Sequence, residues 1–359
     1  MALVLLAALI LWWFGRGLDW TQVRAAVSRS DGRLLWLAVA VVCITYLLRA
    51  YRWRALLSPL TPASLRELFV ATMVGFGAVF VFGRAGEVVR PVVLPMRDRR
   101  VRPAASFVTI MVERLCDSMA CVLLFAVNLL WFHPANSHGS EFGRVRLAGI
   151  LLLAVTLSGV AALGWFKRRS KSAIRWVSKR FARWKFVPER VGHLILGLLE
   201  QLAGALSILT DRREMAVSAG WTALLWGSIT VADWLMLRAF GLPFGLPETI
   251  FVMGFALIGS LVPTPGGAAG AFHAATMAGL IFLGVAREEA AAAAIVVHLI
   301  VYAPAVVFGL YYLLRGEVNI SRLRRLTSTE EVEHVVEDEI IHPPDKERAD
   351  EPVMAHAGE

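Results

Sequence analysis

Two short charged stretches lie inside apolar surroundings, and their residue types set the chemical question. Residues 82–94 read FGRAGEVVRPVVL, with Arg84, Glu87 and Arg90 spaced around Gly83 and Gly86. They follow LFVATMVGFGAVFV, residues 68–81, which carries no charge. The second stretch is ERLCD, with Glu113, Arg114 and Asp117. On a helix Glu113 and Asp117 are i and i+4 and share a face, while Arg114 lies about 100° round. Ionisable groups at membrane depth are expensive, so they pair or line a polar cavity. Arg84, Arg90 and Arg114 balance Glu87, Glu113 and Asp117, which predicts mutual pairing. Such pairs either lock helices together or form a chamber for a charged headgroup. Arginine suits the second role, because its planar fork grips phosphate at two points.

A third stretch carries backbone chemistry instead. Residues 250–280 read IFVMGFALIGSLVPTPGGAAGAFHAATMAGL, an apolar run broken by Pro263, Pro265, Gly266 and Gly267. Proline removes a donor and clashes with the preceding turn, and glycine lets the chain bend. Non-helical backbone survives at membrane depth only where it is buried or lines a wet cavity. Broken segments in corresponding places of two halves point to a transporter binding site.

The elements that must position these residues follow from composition. The 359 residues are 57% hydrophobic and 18% charged, more apolar surface than a soluble domain of this size can hide. Runs at 34–48, 104–132, 147–166, 216–237, 250–262, 267–285 and 290–314 approach or exceed the ~20 residues that cross a bilayer. Residues 1–14 are apolar from the start, without the basic stretch of a cleaved signal, and read as a short first membrane helix. The reading is an all-α polytopic membrane protein with six full spans and two re-entrant hairpins, or eight helices by simple counting. Cys43, Cys116 and Cys121 lie inside apolar runs with no C-x-x-C spacing, so they predict neither a disulfide framework nor a zinc site. The net charge of +9 gathers at the ends of apolar runs, as in cytoplasmic loops, and no nucleic-acid motif accompanies it.

Basic loops orient the chain. Residues 167–213 hold twelve Lys or Arg and 97–102 hold four, which predicts the cytoplasmic side for both. The loops 133–146, with two arginines, and 241–249, with none, face outward. The basic segment 49–57, RAYRWRALL, also reads as cytoplasmic. If 49–57 and 97–102 share a side, the chain between them enters the membrane and returns, with GRAGE near its tip. The alternative lets 68–82 cross and puts 49–67 outside. Counting does not decide, since 15–33 and 49–67 hold four arginines each. The re-entrant reading is preferred, because 250–280 then forms an inverted partner.

Residues 171–186 predict a basic amphipathic helix at the membrane surface, with Ile174, Val177, Phe181 and Trp184 opposite Lys171, Arg175, Lys179 and Arg183. Residues 194–209 read as a second surface helix. The chain divides into a membrane domain, 1–315, containing the linker 167–213, and an acidic tail, 316–359, whose composition predicts disorder on the cytoplasmic side.

In their order, LDW, RAYRWRALL, GRAGEVVRPVVL, ERLCD and PTPGG resemble the flippase-like membrane proteins related to the transmembrane region of lysylphosphatidylglycerol synthase. The resemblance covers roughly residues 1–315. It implies that Arg84, Gly86, Glu87, Arg90, Glu113, Arg114, Asp117, Pro263, Pro265, Gly266 and Gly267 belong to the site. The family's proline-glycine motif usually runs on to a glutamate, near which this chain has His273. The soluble domain that transfers lysine to lipid has no counterpart after residue 315, so aminoacyl-lipid synthesis does not carry over.

The expected function is movement of an anionic lipid, either a phospholipid or a polyprenyl-phosphate-linked sugar, between leaflets of the cytoplasmic membrane. No cofactor, metal or nucleic acid is implied. The sequence has no nucleotide-binding loop, so transport runs downhill or on an ion gradient. His133, His138 and Glu141 are a poor metal frame, and no G-x-S-x-G or H-E-x-x-H pattern occurs. Two alternatives remain open: a non-transporting scaffold for a glycosyltransferase or lipid-modifying enzyme, and an intramembrane lipid enzyme using the buried carboxylates. The sequence leaves the oligomeric state open.

Overall fold

Apolar runs become helices because the bilayer offers no other partner for backbone N–H and C=O groups. The computed structural model describes residues 2–132 and 212–316, with 143–144, 146–151, 153–159, 161–162, 165, 169 and 176 between them. The helices are α1 (Ala2–Gly15), α2 (Trp20–Arg29), α3 (Gly32–Leu57), α4 (Leu65–Phe82), α5 (Val89–Arg97), α6 (Pro103–Trp131), α7 (Arg212–Ala239), α8 (Leu246–Gly259), α9 (Ala271–Phe282) and α10 (Arg287–Leu314). A 3-10 turn, Gly83–Val88, joins α4 to α5, and a single helical turn, Pro265–Ala268, lies between α8 and α9. No strand occurs among the described residues. Among the described residues, four helices are long and apolar enough to cross a membrane: Gly32–Leu57, Leu65–Phe82, Met215–Ala239 and Arg287–Leu314. The protein is an all-α polytopic membrane protein. These helices belong to the unit Met1–Val318. The surface helices read at 171–186 and 194–209, the loop 133–142 and the tail 317–359 lie outside the described residues, apart from Trp176.

Helix α3 is the ruler of the fold. Asp31 caps it by accepting from the N–H of Arg33 (2.8 Å), and its 26 residues rise about 39 Å. α7 runs antiparallel beside it, because the Asp31 N–H donates to the Ala239 carbonyl at 2.8 Å and Tyr51 stacks on Trp221 at 5.7 Å. Residues 49–57, read from the sequence as a basic segment beyond the span, continue the helix to Leu57. Apolar periodicity stopped at Leu48, but helix propensity did not.

The chain after α3 makes a re-entrant hairpin. Going back from its tip, Gly86 lies against Ala78, Arg90 against Gly75, and Arg97 pairs with Glu67. The summed residue numbers stay almost constant along this series, as they must for antiparallel arms turning at Phe82–Gly83. A β-carbon on Gly86 would overlap the Ala78 carbonyl, so only glycine allows the return arm to lie this close. Thr61 Oγ1 donates to the Arg100 carbonyl at 3.1 Å, which closes the base. At that base Arg100 donates to both Asp98 oxygens (2.9 and 2.8 Å), which holds the Asp98 carboxyl below its usual range. Helix α4 is long enough to cross, but its partner arm brings the chain back to its starting level.

α8 and α9 form the second hairpin. Gly259 lies against Ala271 and Ala275, Gly279 against Phe255, and the rings of Phe251 and Phe282 meet at 5.4 Å. Its base is tied to the far end of α6, where Asn128 Nδ2 donates to the Pro247 carbonyl at 2.8 Å. This base lies at the Asp31 end of α3, whereas the first hairpin's base lies at the Leu57 end. The two hairpins therefore enter from opposite ends and are inverted. Their tips meet: a β-carbon on Gly83 (φ 64°) would stand 2.9 Å from the Thr264 carbonyl oxygen. α10 runs past both and packs on α4, with Gly309 against the Met73 carbonyl and Gly77 against that of Ala305. It ends at the base level of the first hairpin.

Candidate functional site

Where the tips approach, α3, α4, α6, α7 and α10 leave a cavity of about 490 Å³. Its walls include Arg49, Phe76, Glu87, Arg90, Arg114, Asp117, Trp226, Asp233, Thr264, Gly267, Thr276 and Tyr302. The size is that of an ordinary small-ligand site.

Beside the cavity an ion cluster is built from α3, α5 and α6. Pro103 at the first turn starts α6 about ten residues before Glu113, so the helix carries Glu113 and Asp117 inward on one face. Arg52 is wholly buried and donates through both terminal nitrogens to Asp117, at 2.5 and 3.0 Å. It also lies 3.3 Å from Glu113. Arg90 makes a second two-point grip, donating to the Glu113 oxygens at 2.6 and 3.3 Å. Arg114 bridges both acids, at 2.7 Å from Glu113 and 3.2 Å from Asp117. Trp226 of α7 donates to Asp117 at 3.2 Å. Three guanidinium groups thus share two carboxylates, and the Nε of each arginine has no acceptor among the described residues. The cluster is rich in donors and in positive charge.

Aromatic faces hold the cations in place. Arg90 stands over Trp53 (4.6 Å) and Phe76 (5.3 Å), and Trp53 is fixed by donating to Thr109 Oγ1 at 3.0 Å. The stem of Arg90 crosses α4 at Gly75, where any β-carbon would overlap it. Arg49 stands over the other reach of Phe76 at 4.8 Å, on the cavity wall, and makes no ion pair among the described residues. Arg90 is thus held between Glu113 and two aromatic faces. Arg49 and the 35% exposed side chain of Arg114 are the cations open to a ligand.

Among the sequence candidates, Arg90, Glu113, Arg114 and Asp117 come together in this cluster. Glu87 lines the cavity and forms no ion pair with the described side chains, and Arg52, outside the six expected residues, joins the pairing. The side chain of Arg84 lies outside the described residues, and its backbone is in the turn that follows the tip. Gly86 serves the hairpin's close packing rather than the cavity wall. Gly267 lines the cavity, while Pro263 and Pro265 shape the turn above it. His273 lies off the cavity wall. Its ring packs on Phe14 (5.4 Å) and His298 (4.7 Å), and its Nδ1 accepts from the Gly270 N–H at 3.4 Å. That is the third residue of α9, the place where a glutamate closes a capping box. The histidine takes over the capping contact there.

The sequence reading missed Arg49, Arg52, Asp233 and His298. The first two were legible in spacing, since Arg49, Arg52 and Trp53 are i, i+3 and i+4 and continue the helical period of 34–48. Asp233 and His298 lie in the apolar stretches of α7 and α10, and only tertiary contacts show that they matter. No cluster of three or more His, Cys, Asp or Glu able to hold a metal occurs among the described residues.

Residues 1–309 match the family described as the lysylphosphatidylglycerol synthase TM region. The chain is similar to glycosyltransferase AglD of Haloferax volcanii, 25% identical over 339 residues, covering 85% of this chain and 52% of that protein. It is also similar to UPF0104 membrane protein PH1989 of Pyrococcus horikoshii, 19% identical over 305 residues, covering 81% of this chain and 88% of that one. The chain spans about half the length of AglD and most of PH1989.

Proposed function

Because this chain belongs to the lysylphosphatidylglycerol synthase TM-region family, we propose that it binds the phosphate of an anionic lipid between its two hairpin tips and moves that lipid between leaflets. The observation that carries the reading is the donor-rich cluster opening onto the cavity through Arg114, with Arg49 beside it making no ion pair among the described residues. A phosphodiester there accepts from both guanidinium groups, and Arg114 exchanges part of its hold on Glu113 and Asp117 for the ligand. Apolar lining such as Val252, Ala256 and Val297 leads away from the cluster and suits acyl or prenyl chains. The protein sits in the cytoplasmic membrane, with the basic base of the first hairpin and the end of α10 on the cytoplasmic side. Lipids carrying a phosphate are its partners, and it is not itself an enzyme.

The test is reconstitution into vesicles with fluorescently labelled phospholipids and a polyprenyl phosphate, reading movement by quencher access to the label. The wild type accelerates movement of at least one phosphate-bearing lipid. Arg49→Gln with Arg114→Gln slows it by about tenfold or more, since each loses charge-assisted hydrogen bonds. Equal rates for the two proteins would overturn the reading. Similarity to a protein named as a glycosyltransferase favours one second reading, presentation of a lipid-linked sugar to a partner transferase. That reading gains if no lipid moves but a polyprenyl-phosphate sugar binds.

A further inference from the structure

The cavity has a second polar end that the phosphate does not use. Asp233 of α7 lies on its wall, and its carboxylate has no partner among the described residues. Thr264, in the second hairpin's tip, and Thr276 of α9 are buried to 0% and 1% exposure. Both line the same cavity, and neither hydroxyl has a hydrogen-bond partner among the described residues. Other cavity hydroxyls are engaged within the protein: Ser260 donates to Leu257, Thr249 to Gly245, Tyr46 to Val301, Thr45 to Val42 and Ser118 to Arg114. Buried polar groups are rarely left unpaired without a ligand or water to serve them. The two buried hydroxyls and the half-buried Asp233 carboxyl line the same cavity from three different elements, and together they mark a built site.

The spacing of Asp233 from Asp117 is set by α7. Trp226 touches Asp117 from this helix, and Asp233 follows seven residues later on the same face. Seven residues rise about 10 Å. A headgroup whose phosphate meets Arg49 and Arg114 therefore carries its distal end toward Asp233. The oxygens of the Asp233 carboxyl and of the two threonine hydroxyls can all accept hydrogen bonds. That end selects a distal group bearing O–H or N–H donors.

We infer that Asp233, Thr264 and Thr276 form a second subsite that recognises hydrogen-bond donors on the headgroup beyond its phosphate, either the hydroxyls of a polyol or sugar or a primary ammonium. The inference rests on the proposed phosphate site at Arg49 and Arg114. Phosphatidylcholine is the discriminating probe, because it has the phosphate and a distal cation but no distal N–H or O–H. Phosphatidic acid has no distal group.

The experiment compares transport of labelled phosphatidylglycerol, phosphatidylethanolamine, phosphatidylcholine and phosphatidic acid in vesicles. A site built for donors rejects an analogue lacking them by tenfold or more. The wild type is expected to favour phosphatidylglycerol or phosphatidylethanolamine over phosphatidylcholine by about that factor. Which of the two leads tells whether hydroxyl or ammonium is the natural donor. In Asp233→Asn, and separately in the nearly isosteric Thr276→Val, the preference ratio is expected to fall toward one. Lipid-induced shifts of thermal unfolding in detergent supply a second readout, and folding of each variant is read from the same curve. A wild type that moves all four lipids alike overturns the subsite, as do variants that slow all four equally. Failure of the phosphate site is separate, because then Arg49→Gln with Arg114→Gln changes nothing for any lipid.

Discussion

The two hairpins share a topology and solve the same problem by opposite means. The first, α4–α5, bends through a compact 3-10 turn and is held by charge, with Arg90 clamped to Glu113 and Arg97 to Glu67. The second, α8–α9, has no charged residue between Glu248 and Arg287. It bends through left-handed backbone at Gly266, Gly267, Ala268 and Gly270. Its tip is held by His298, whose Nε2 lies 3.1 Å from the Gly267 carbonyl, and by the ring of Tyr302 against Gly267. Ion pairs in a low-dielectric site are costly to break, and a single neutral hydrogen bond is not. This difference predicts that the first hairpin is the fixed wall of the cavity and the second the wall that rearranges.

The largest effect tests whether the hairpins are inverted at all. Exposed Pro59 and Arg99 belong to the first base, and exposed Gly245 to the second. In a cysteine-free background, cysteines at 59 and 99 react with an impermeant thiol reagent from one side of the membrane and a cysteine at 245 from the other. Labelling of 59 and 99 from opposite sides would turn α4 into a full crossing.

Next comes the clamp. Arg52→Ala leaves Asp117 and Glu113 buried with fewer partners, a loss of about 3–5 kcal/mol, read as a drop in thermal stability and yield. The double change Arg52→Ala with Asp117→Ala costs less than the sum of the two single changes, since both remove the same pair. Strict additivity would dissolve the network.

Glycine substitutions separate the two walls more finely. Gly75→Ala pushes Arg90 off its track, at about 1–3 kcal/mol for overpacking, and weakens lipid transport with it. Gly267→Ala places a β-carbon 2.7 Å from Tyr302 at a φ of 64°, a cost of about 1–2 kcal/mol. If the second hairpin is the adaptable wall, this change alters transport rate more than stability.

The smallest effect lies at the first base. Asp98 has a depressed pKa in the folded protein, first because of its hydrogen bonds from Arg100. A depressed carboxyl stabilises above its unfolded pKa of about 3.9, and the gain is lost as pH falls through the folded value. Asp98→Asn should therefore lower thermal stability slightly at pH 7, and the gap to wild type should close in acid. A gap independent of pH would assign the loss to packing.

Much of this was legible in residue order. Prolines, glycines and isolated charges in apolar runs marked both breaks and the acids of α6, because each breaks a rule that the bilayer enforces. Arg49 and Arg52 were obscured because arginines at the end of an apolar run ordinarily mark a loop on the basic side. Their helix simply continues two and a half turns past Leu48, the end of the unbroken apolar run, where the burial of Arg52 against α6 outweighs the cost of charge. Asp233 was obscured for another reason. A carboxylate in the apolar stretch of a 28-residue helix says nothing about which face meets a cavity until α8 and α9 are in place.

The central claim is that the two tips enclose the lipid headgroup between them. Val79, near the end of α4, and Ala268, in the second tip, both line the cavity, and the Pro265–Ala268 turn packs on α4. Cysteines at these positions, in a cysteine-free protein in vesicles, are treated with a short bifunctional thiol reagent while lipid movement is followed. The account predicts that cross-linking occurs, stops transport, and is slowed by an added phosphate-bearing lipid the protein moves. Cross-linking that leaves transport and its lipid dependence untouched, or none at all, would contradict it.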